Sequence, residues 1–178
     1  MHIIIDGYNL IRQSDALRRY ERFSLEEGRK ALLRVTALYK RHKGHKVTVV
    51  FDGWEGGPAE EERDRQGGID IIYSRRGEKA DDVIKRMVQK TGEEIVVVTS
   101  DRDIADFVGR RGGTAISSQE FEGHMSTLKI SKPDSLVQRE GEHEKDDDDE
   151  SMAGIRKKGP AKRLSRKKKA AIVKLRKL

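Results

Sequence analysis

The sequence contains no cysteine, which excludes disulfide bonds, thiolate zinc sites and cysteine nucleophiles. No hydrophobic run approaches the roughly 18 residues that a membrane-spanning helix requires. The chain also starts directly with a hydrophobic strand pattern, and not with the basic and then apolar segments of a secretory signal peptide. We therefore expect a cytoplasmic protein that makes no membrane contact.

Residues 1–128 lack a net charge, and the charge imbalance is confined to the C-terminal part. Of 38 Lys plus Arg and 31 Asp plus Glu, 16 basic and 9 acidic residues lie from residue 129 onward, which leaves 22 of each before it. This shift predicts a globular domain over residues 1–128, an acidic linker over 129–150 and a basic tail over 151–178. The tail has the apolar spacing of an amphipathic helix. We expect it to be disordered alone and helical only when bound.

Three hydrophobic runs each end on an aspartate. The segment IIIDGYNL places Asp6 after a β-branched run, and residues 46–52 and 94–101 end in the same way on Asp52 and Asp101. Such runs predict buried strands. Because the carboxyl ends of parallel strands meet at one edge of a sheet, where open α/β sheets bind ligands, these carboxylates are expected to lie near one another.

Segments with helical spacing separate the predicted strands. Ser24 and Glu27 have the spacing of a capping box before one of them, other helices are predicted to start near residues 80, 101 and 118, and two more strands cover residues 69–74 and 114–117. Strands that alternate with helices indicate a Rossmann-like three-layer α/β/α fold, with a mainly parallel five-stranded sheet in the order 3-2-1-4-5. In this order Asp6 and Asp101 end neighbouring strands, and the helix that carries Asp81 reaches the same crevice.

Several carboxylates in one crevice repel one another, and each loses hydration. A divalent cation resolves this conflict. The five histidines show no ligand spacing, so the oxygen-only ligands favour Mg²⁺ or Mn²⁺ over zinc. Such ions serve phosphoryl chemistry, and hydrolysis of a phosphodiester follows as the expected reaction.

Four motifs in this order carry a resemblance to a known family: IDGYN at residues 5–9, VFDG at 50–53, KADDVI at 79–84 and VTSDRD at 98–103. Together they resemble the NYN domain of YacP-like proteins, a branch of the PIN-like metal-dependent ribonucleases, over roughly residues 1–128. The resemblance implies a PIN-like fold and an endoribonuclease activity. Since the family includes ribosome-associated nucleases that act on messenger RNA, it also makes the ribosome a candidate partner. The charged tail departs from the compact family pattern.

The resemblance also implies roles for individual residues. Asp6, Asp81 and Asp101 would form the catalytic acidic metal site, Asp103 would add a ligand directly or through water, and Asn9 would orient the scissile phosphate. Two of the acidic residues nearby have open roles: Asp103 could instead only complement a helix N-terminus, and Asp52 could hold a loop or a metal ion. For Trp54, base stacking and packing over the sheet both remain open.

Basic side chains flank the expected crevice. Arg75, Arg76, Lys79 and Arg102 are candidates for binding RNA phosphates. The sequence thus predicts a Mg²⁺- or Mn²⁺-dependent endoribonuclease that attacks the phosphate in line, without a covalent intermediate. One alternative is a non-catalytic RNA- or ribosome-binding module with a PIN-like fold. A metal-dependent phosphatase or toprim-like domain is a second, but the first strand lacks an Asp-x-Asp pair and no suitable glutamate loop is present.

Overall fold

The computed structural model describes residues 1–53 and 59–128. Trp54, the predicted acidic linker and the predicted basic tail lie outside these residues. In chain order the elements are β1 (His2–Asp6), α1 (Gly7–Gln13), α2 (Asp15–Glu21), α3 (Leu25–Lys43), β2 (Lys46–Phe51), β3 (Glu62–Gln66), β4 (Ile69–Tyr73), α4 (Ala80–Lys90), β5 (Ile95–Val98), α5 (Arg102–Arg110), β6 (Thr114–Ile116) and α6 (Ser118–Thr127). Within the described ranges, none of the helices combines the length and hydrophobicity that a membrane crossing requires.

A single sheet has the strand order β3-β4-β2-β1-β5-β6. All its neighbours pair in parallel except β3, which is antiparallel to β4. The predicted α/β class and the predicted order of the five parallel strands are therefore confirmed. Strand β1 lies between β2 and β5, which places the ends of the three aspartate-terminated strands side by side.

The strand number differs from the prediction because β3 is a sixth strand, formed by polar and charged residues for which the sequence pattern predicted no strand. Its five residues are all exposed, so it carries no apolar alternation to reveal it. Strand β3 pairs through its backbone with one neighbour at the sheet edge. Its charged side chains keep this edge in water and disfavour pairing with another chain.

Helices cover both faces of the sheet. One hydrophobic cluster joins Ile3 and Ile5 of β1 to α1, α3 and α6. The other joins Ile4 to α4 and α5. Alternate side chains of β1 thus enter opposite cores, as a strand buried on both faces requires. Because β1 is held from both sides, the position of its last residue, Asp6, is fixed by the packing.

Candidate active site

The predicted catalytic carboxylates lie at the carboxyl edge of the sheet. Asp6 ends β1, Asp101 is the N-cap of α5 directly after β5, and Asp81 is in the first turn of α4. Their charges interact, because Asp81 raises the pKa of Asp6 and Asp101 raises the pKa of Asp81. The structure thus brings the three carboxylates to one edge of the sheet, with the charge of Asp81 coupled to Asp6 and that of Asp101 coupled to Asp81; their part as metal ligands stays a prediction.

Asp6 is the most buried of these carboxylates, with 8% of its surface exposed. Burial raises its pKa from 3.8 to about 6, and the neighbouring charges of Asp81 and Asp52 add to the effect. Two hydrogen bonds lower this pKa. The backbone amide of Asn9 donates to Oδ1 at 3.2 Å, and the Thr99 hydroxyl donates to Oδ2 at 3.2 Å. No ion pair connects Asp6 to a basic group of the described chain.

The carboxyl of Asp81 is less buried than that of Asp6, but its surroundings also raise its pKa more than they lower it. Burial is the largest cause of its raised pKa, and the charges of Asp101 and Asp52 raise it further. The charges of Lys85 and Lys79 lower this pKa and only partly compensate. Asp81 is therefore a second carboxyl for which the surroundings disfavour ionisation, and a bound cation would remove that cost.

Asp101 and Thr99 connect the end of β5 to the end of β1. The Asp101 side chain caps α5, since its Oδ1 accepts from the amides of Asp103 at 2.7 Å and Ile104 at 3.1 Å. Thr99 Oγ1 accepts from the Asp101 amide at 3.1 Å and donates to Asp6. Sequence reasoning assigned no role to Thr99. Its signal was a hydroxyl at the end of a run of valines, where a buried donor needs a partner.

Asp52, for which two roles were open, holds a loop in this structure. Its Oδ1 accepts from the Ala80 amide at 2.6 Å, while Lys79, the N-cap residue of α4, makes no side-chain cap. Asp52 therefore caps α4 from another part of the chain and fixes the helix turn that carries Asp81. Its charge still contributes to the acidic environment.

The glycines that follow Asp6 and Asp52 are required by close packing. A Cβ atom on Gly7 would lie 2.3 Å from the Phe51 ring, and one on Gly53 would lie 2.1 Å from the Ser74 carbonyl oxygen. Both distances are too short for real contacts. The Asp-Gly pairs at these strand ends therefore reflect steric limits as well as the chemistry of the carboxylates.

Asn9 joins three segments at the same edge. Its Oδ1 accepts from the Ser100 amide at 2.9 Å and from the Ser118 hydroxyl at 2.9 Å. These bonds hold α1 against the loop after β5 and the start of α6. Orientation of a phosphate by Asn9 stays a prediction, and the bonds add a positioning role that the sequence did not reveal.

The predicted RNA-binding side chains differ in their surroundings. Arg75 pairs with Glu78, at 3.5 Å between Nε and Oε2. Arg76, Lys79 and Arg102 are exposed and form no ion pair with the carboxylates of residues 1–53 and 59–128. These three are therefore better placed than Arg75 to meet a phosphate.

Asp103 is exposed on the first turn of α5. Its amide donates to Asp101 Oδ1 at 2.7 Å, which places Asp103 next to the predicted metal site. Its predicted part in metal binding remains untested by this geometry, and its charge complements the helix N-terminus.

The donor set suits a hard divalent cation in charge and in chemistry, because it consists of carboxylates that form no ion pair within the described residues. The described part of the chain nevertheless holds no group of three or more His, Asp or Glu side chains close enough together to bind a metal ion. The carboxylates thus interact through their charges without forming a preformed cage. Some side-chain movement would have to accompany metal binding.

Comparison with known proteins agrees with the family resemblance of the four sequence motifs. A family model described as the YacP-like NYN domain matches residues 3–177, so the match runs through the charged tail that the four motifs had left outside the resemblance. The uncharacterized protein YacP of Bacillus subtilis (strain 168) is 27% identical over 130 residues, which is 71% of this chain and 76% of that protein.

Two crystal structures share the fold. Rae1 (YacP) from Bacillus subtilis matches with a TM-score of 0.60 and 26% identity, over 79% of both chains. A tryptophan-to-leucine mutant of the same protein matches with a TM-score of 0.60 and 24% identity, over 81% of this chain and 86% of that one. The arrangement of β1, β2, β4 and β5 around the acidic edge is therefore that of a fold already known from experiment.

Proposed function

Because the chain belongs to the YacP-like NYN domain family, we propose that it is a metal-dependent endoribonuclease that hydrolyses phosphodiester bonds of RNA. The observation that carries the proposal is the environment of Asp6, a carboxyl buried at a strand end beside the charges of Asp81 and Asp52, with its pKa raised to about 6. A structure that needed only stability would not keep a carboxylate there without a basic partner.

Asp6, Asp81 and Asp101 are the residues that would hold Mg²⁺ or Mn²⁺, with Asp103 joining directly or through water. When bound, the metal ion supplies activation of water and neutralises charge on the attacked phosphate. Thr99 keeps Asp6 and Asp101 in register, since its hydroxyl contacts the side chain of one and the backbone of the other.

The acidic edge repels the negatively charged phosphates of RNA. Basic groups therefore have to position these phosphates. Arg76, Lys79 and Arg102 are exposed around this edge, and Arg75 would contribute after leaving Glu78. For the long-range attraction we propose the basic tail, because residues 1–128 carry equal numbers of acidic and basic side chains. The ribosome is the candidate partner through which such a tail would reach messenger RNA.

A cleavage assay tests the proposal directly. The full chain is incubated with end-labelled single-stranded RNA in Mg²⁺, in Mn²⁺ and in EDTA, and fragments are separated on a denaturing gel. Asp6→Asn, Asp81→Asn and Asp101→Asn should each lose cleavage. Asp82→Asn is the matched control, because Asp82 lies beside Asp81 on the same helix turn but is exposed. Cleavage that persists in EDTA, or in all three variants, would refute the metal site.

The hydrogen bonds at the site favour one other function, a non-catalytic RNA- or ribosome-binding module. Both oxygens of Asp6 and Oδ1 of Asp101 accept hydrogen bonds from the protein itself, which is what structural caps would show. Such a module would bind RNA equally well in EDTA and leave it intact under every metal condition. The same assay, combined with a binding measurement, therefore separates the two functions.

A further inference from the structure

An exposed basic and aromatic surface lies at the corner between α2 and α3. We name it the corner patch and define it as Arg18, Arg19, Arg22 and Phe23. The Phe23 side chain is 83% exposed, and the three arginines line an open cavity of about 230 Å³ together with Asp15. One exposed apolar side chain is ordinary in a soluble protein, so the ring becomes informative only through the charges around it.

Those charges are largely uncompensated. Arg18 pairs with Asp15 across 3.7 Å between exposed groups, a contact that contributes little in water. Arg19 and Arg22 form no ion pair with any carboxylate in the described residues. The corner patch therefore presents two guanidinium groups that make no ion pair in the described residues, next in the chain to the exposed Phe23, in a domain whose overall charge is balanced.

The backbone that carries Phe23 is held firmly. The amides of Phe23 and Ser24 both donate to the Tyr20 carbonyl, at 3.0 Å and 3.3 Å. The Ser24 hydroxyl accepts from the Glu27 amide at 3.0 Å and so caps α3. Because the ring projects from a fixed turn, a ligand that stacks on it would lose less free energy in ordering the protein.

The corner patch lies at the same edge of the sheet as the carboxylates, where the parallel strands have their carboxyl ends. Since β1 and β2 are parallel, α3 must cross from the carboxyl edge back to the amino edge, and its first turn therefore begins at the carboxyl edge. Two contacts agree with this placement. The Arg29 guanidinium lies 5.6 Å from the ring centre of Tyr73, the last residue of β4.

The second contact connects the corner patch to α1, the helix that Asp6 caps. Arg12 of α1 lies 5.4 Å from the ring centre of Tyr8 and bonds the Glu21 carboxylate at 3.3 Å. Glu21 ends α2 and directly precedes Arg22. These contacts connect the helix that starts at the acidic site to the end of α2, next in the chain to the corner patch.

We propose that the corner patch is a binding site for single-stranded RNA, in which Phe23 stacks on a base while Arg19 and Arg22 bind the flanking phosphates. The inference rests on the proposed ribonuclease function and extends its substrate path to a second contact point. Stacking on an aromatic ring tolerates any base, and arginines beside it suit a polyanion. The exposed large apolar side chains here are Phe23 and Leu25, at 83% and 51% exposure, and their area is small compared with the roughly 1,000 Å² that a stable protein interface buries.

Fluorescence anisotropy with labelled single-stranded RNA tests the proposal in EDTA, where cleavage does not interfere. The full chain is compared with Phe23→Ala, Phe23→Leu and Phe23→Trp. We expect the alanine and leucine variants to bind about tenfold more weakly or worse, because both lose the stacking face. The tryptophan variant should bind at least as well as the wild type. All three should melt at the wild-type temperature, since the ring is exposed.

The arginines are tested by the dependence of binding on salt. Arg19→Ala combined with Arg22→Ala should reduce the slope of log affinity against log salt by about 1.4, which corresponds to two phosphate contacts of a single strand. The matched control is Arg41→Ala with Arg110→Ala, which removes the same charge from exposed positions at the far ends of α3 and α5. Its slope should stay near that of the wild type.

Three results would overturn the inference. Wild-type binding by Phe23→Leu would mean that RNA binding needs no aromatic ring at this position, and equal slopes for the two arginine pairs would mean that only total charge matters. Wild-type binding by every variant, with cleavage still dependent on Asp6, would refute the corner patch and leave the proposed function intact. If the corner-patch variants lost RNA binding while Asp6→Asn still cleaved RNA, the corner patch would stand and the proposed function would be refuted.

Discussion

Replacing Asp6 with asparagine should stabilise the protein when no divalent cation is present. The carboxyl of Asp6 is buried and its pKa is about 6, against an ordinary value of 3.8. Near neutral pH the folded protein therefore carries an ionised group that the unfolded chain accommodates more easily. Asparagine keeps the shape and an acceptor for the Asn9 amide but removes the charge.

The two pKa values set the size of the effect. Their difference corresponds to roughly 3 kcal/mol of unfolding free energy lost once Asp6 is ionised in the folded state. Asparagine would recover this amount, less about 1 kcal/mol for the altered contact with the Thr99 hydroxyl. The net gain is roughly 2 kcal/mol at pH values well above 6, which for a domain of this size raises the melting temperature by about 7 °C.

The direction of the stability change caused by Asp6→Asn depends on pH. A carboxyl whose folded pKa is raised takes up protons on folding, so its contribution to stability falls as the pH rises from about 4 to about 6. The difference between Asp6→Asn and the wild type should therefore be large at about pH 7.5 and vanish or reverse near pH 4. Urea denaturation followed by circular dichroism in EDTA measures it, with Asp82→Asn as a control that changes stability by a few tenths of a kcal/mol.

If Asp6→Asn were less stable than the wild type by the same amount at both pH values, ionised Asp6 would carry no cost in the fold. The hydrogen bonds from Asn9 and Thr99 would then outweigh its burial. The main electrostatic support for a cation at this edge would be lost with it.

The remaining predictions concern ligands. Mg²⁺ at 100 times its dissociation constant should stabilise the wild type by about 2.7 kcal/mol and Asp81→Asn or Asp101→Asn by less; equal shifts in a thermal melt would exclude these ligands. Arg75→Ala with Arg76→Ala should weaken RNA binding but preserve turnover at saturating RNA, so a fall in turnover to the level of Asp101→Asn would show direct involvement. Truncation before Ser151 should leave an active nuclease whose RNA-binding salt slope is smaller by roughly four, if about six basic residues of the tail contact phosphates; an unchanged slope would assign RNA capture to the domain.

The parts of the fold that the sequence predicted well are those with a strong hydrophobic period. Strands β1, β2 and β5 are buried throughout most of their length, so an unbroken run of β-branched residues marks each of them. Their order follows from the handedness of the connections. The positions of Asp6 and Asp101 at neighbouring strand ends followed from these two facts.

The parts that the sequence did not predict depend on single contacts between distant segments. Asp52 caps α4, which starts 28 residues later in the chain, and Asn9 bonds Ser118 across 109 residues. No local pattern carries such a contact, because the partner is set by the finished fold. The same limit explains β3, whose exposed side chains give the strand no period.

The three strand-end aspartates each accept hydrogen bonds from a helix N-terminus at the acidic edge. Asp6 caps α1, Asp101 caps α5, and Asp52 caps α4 from outside the helix. Each helix N-terminus offers partial positive charge and unpaired amides, and an N-cap contributes about 1 kcal/mol. These contributions offset part of the repulsion, so the carboxylates can be held close to one another in the folded protein.

Asp6 and Asp101 are thus both helix caps and candidate metal ligands. In the described chain Oδ1 of Asp6, of Asp52 and of Asp101 each accepts a hydrogen bond from a helix amide, and hydrogen bonds of this kind orient the carboxylates that bind metal ions in proteins. Asp6, Asp81 and Asp101 are the residues that would hold a cation, and of these three only the carboxylate of Asp81 accepts no hydrogen bond from the described residues. The capping bonds would keep Asp6 and Asp101 oriented at the edge of the sheet, so two of the three ligands would already be positioned by the fold.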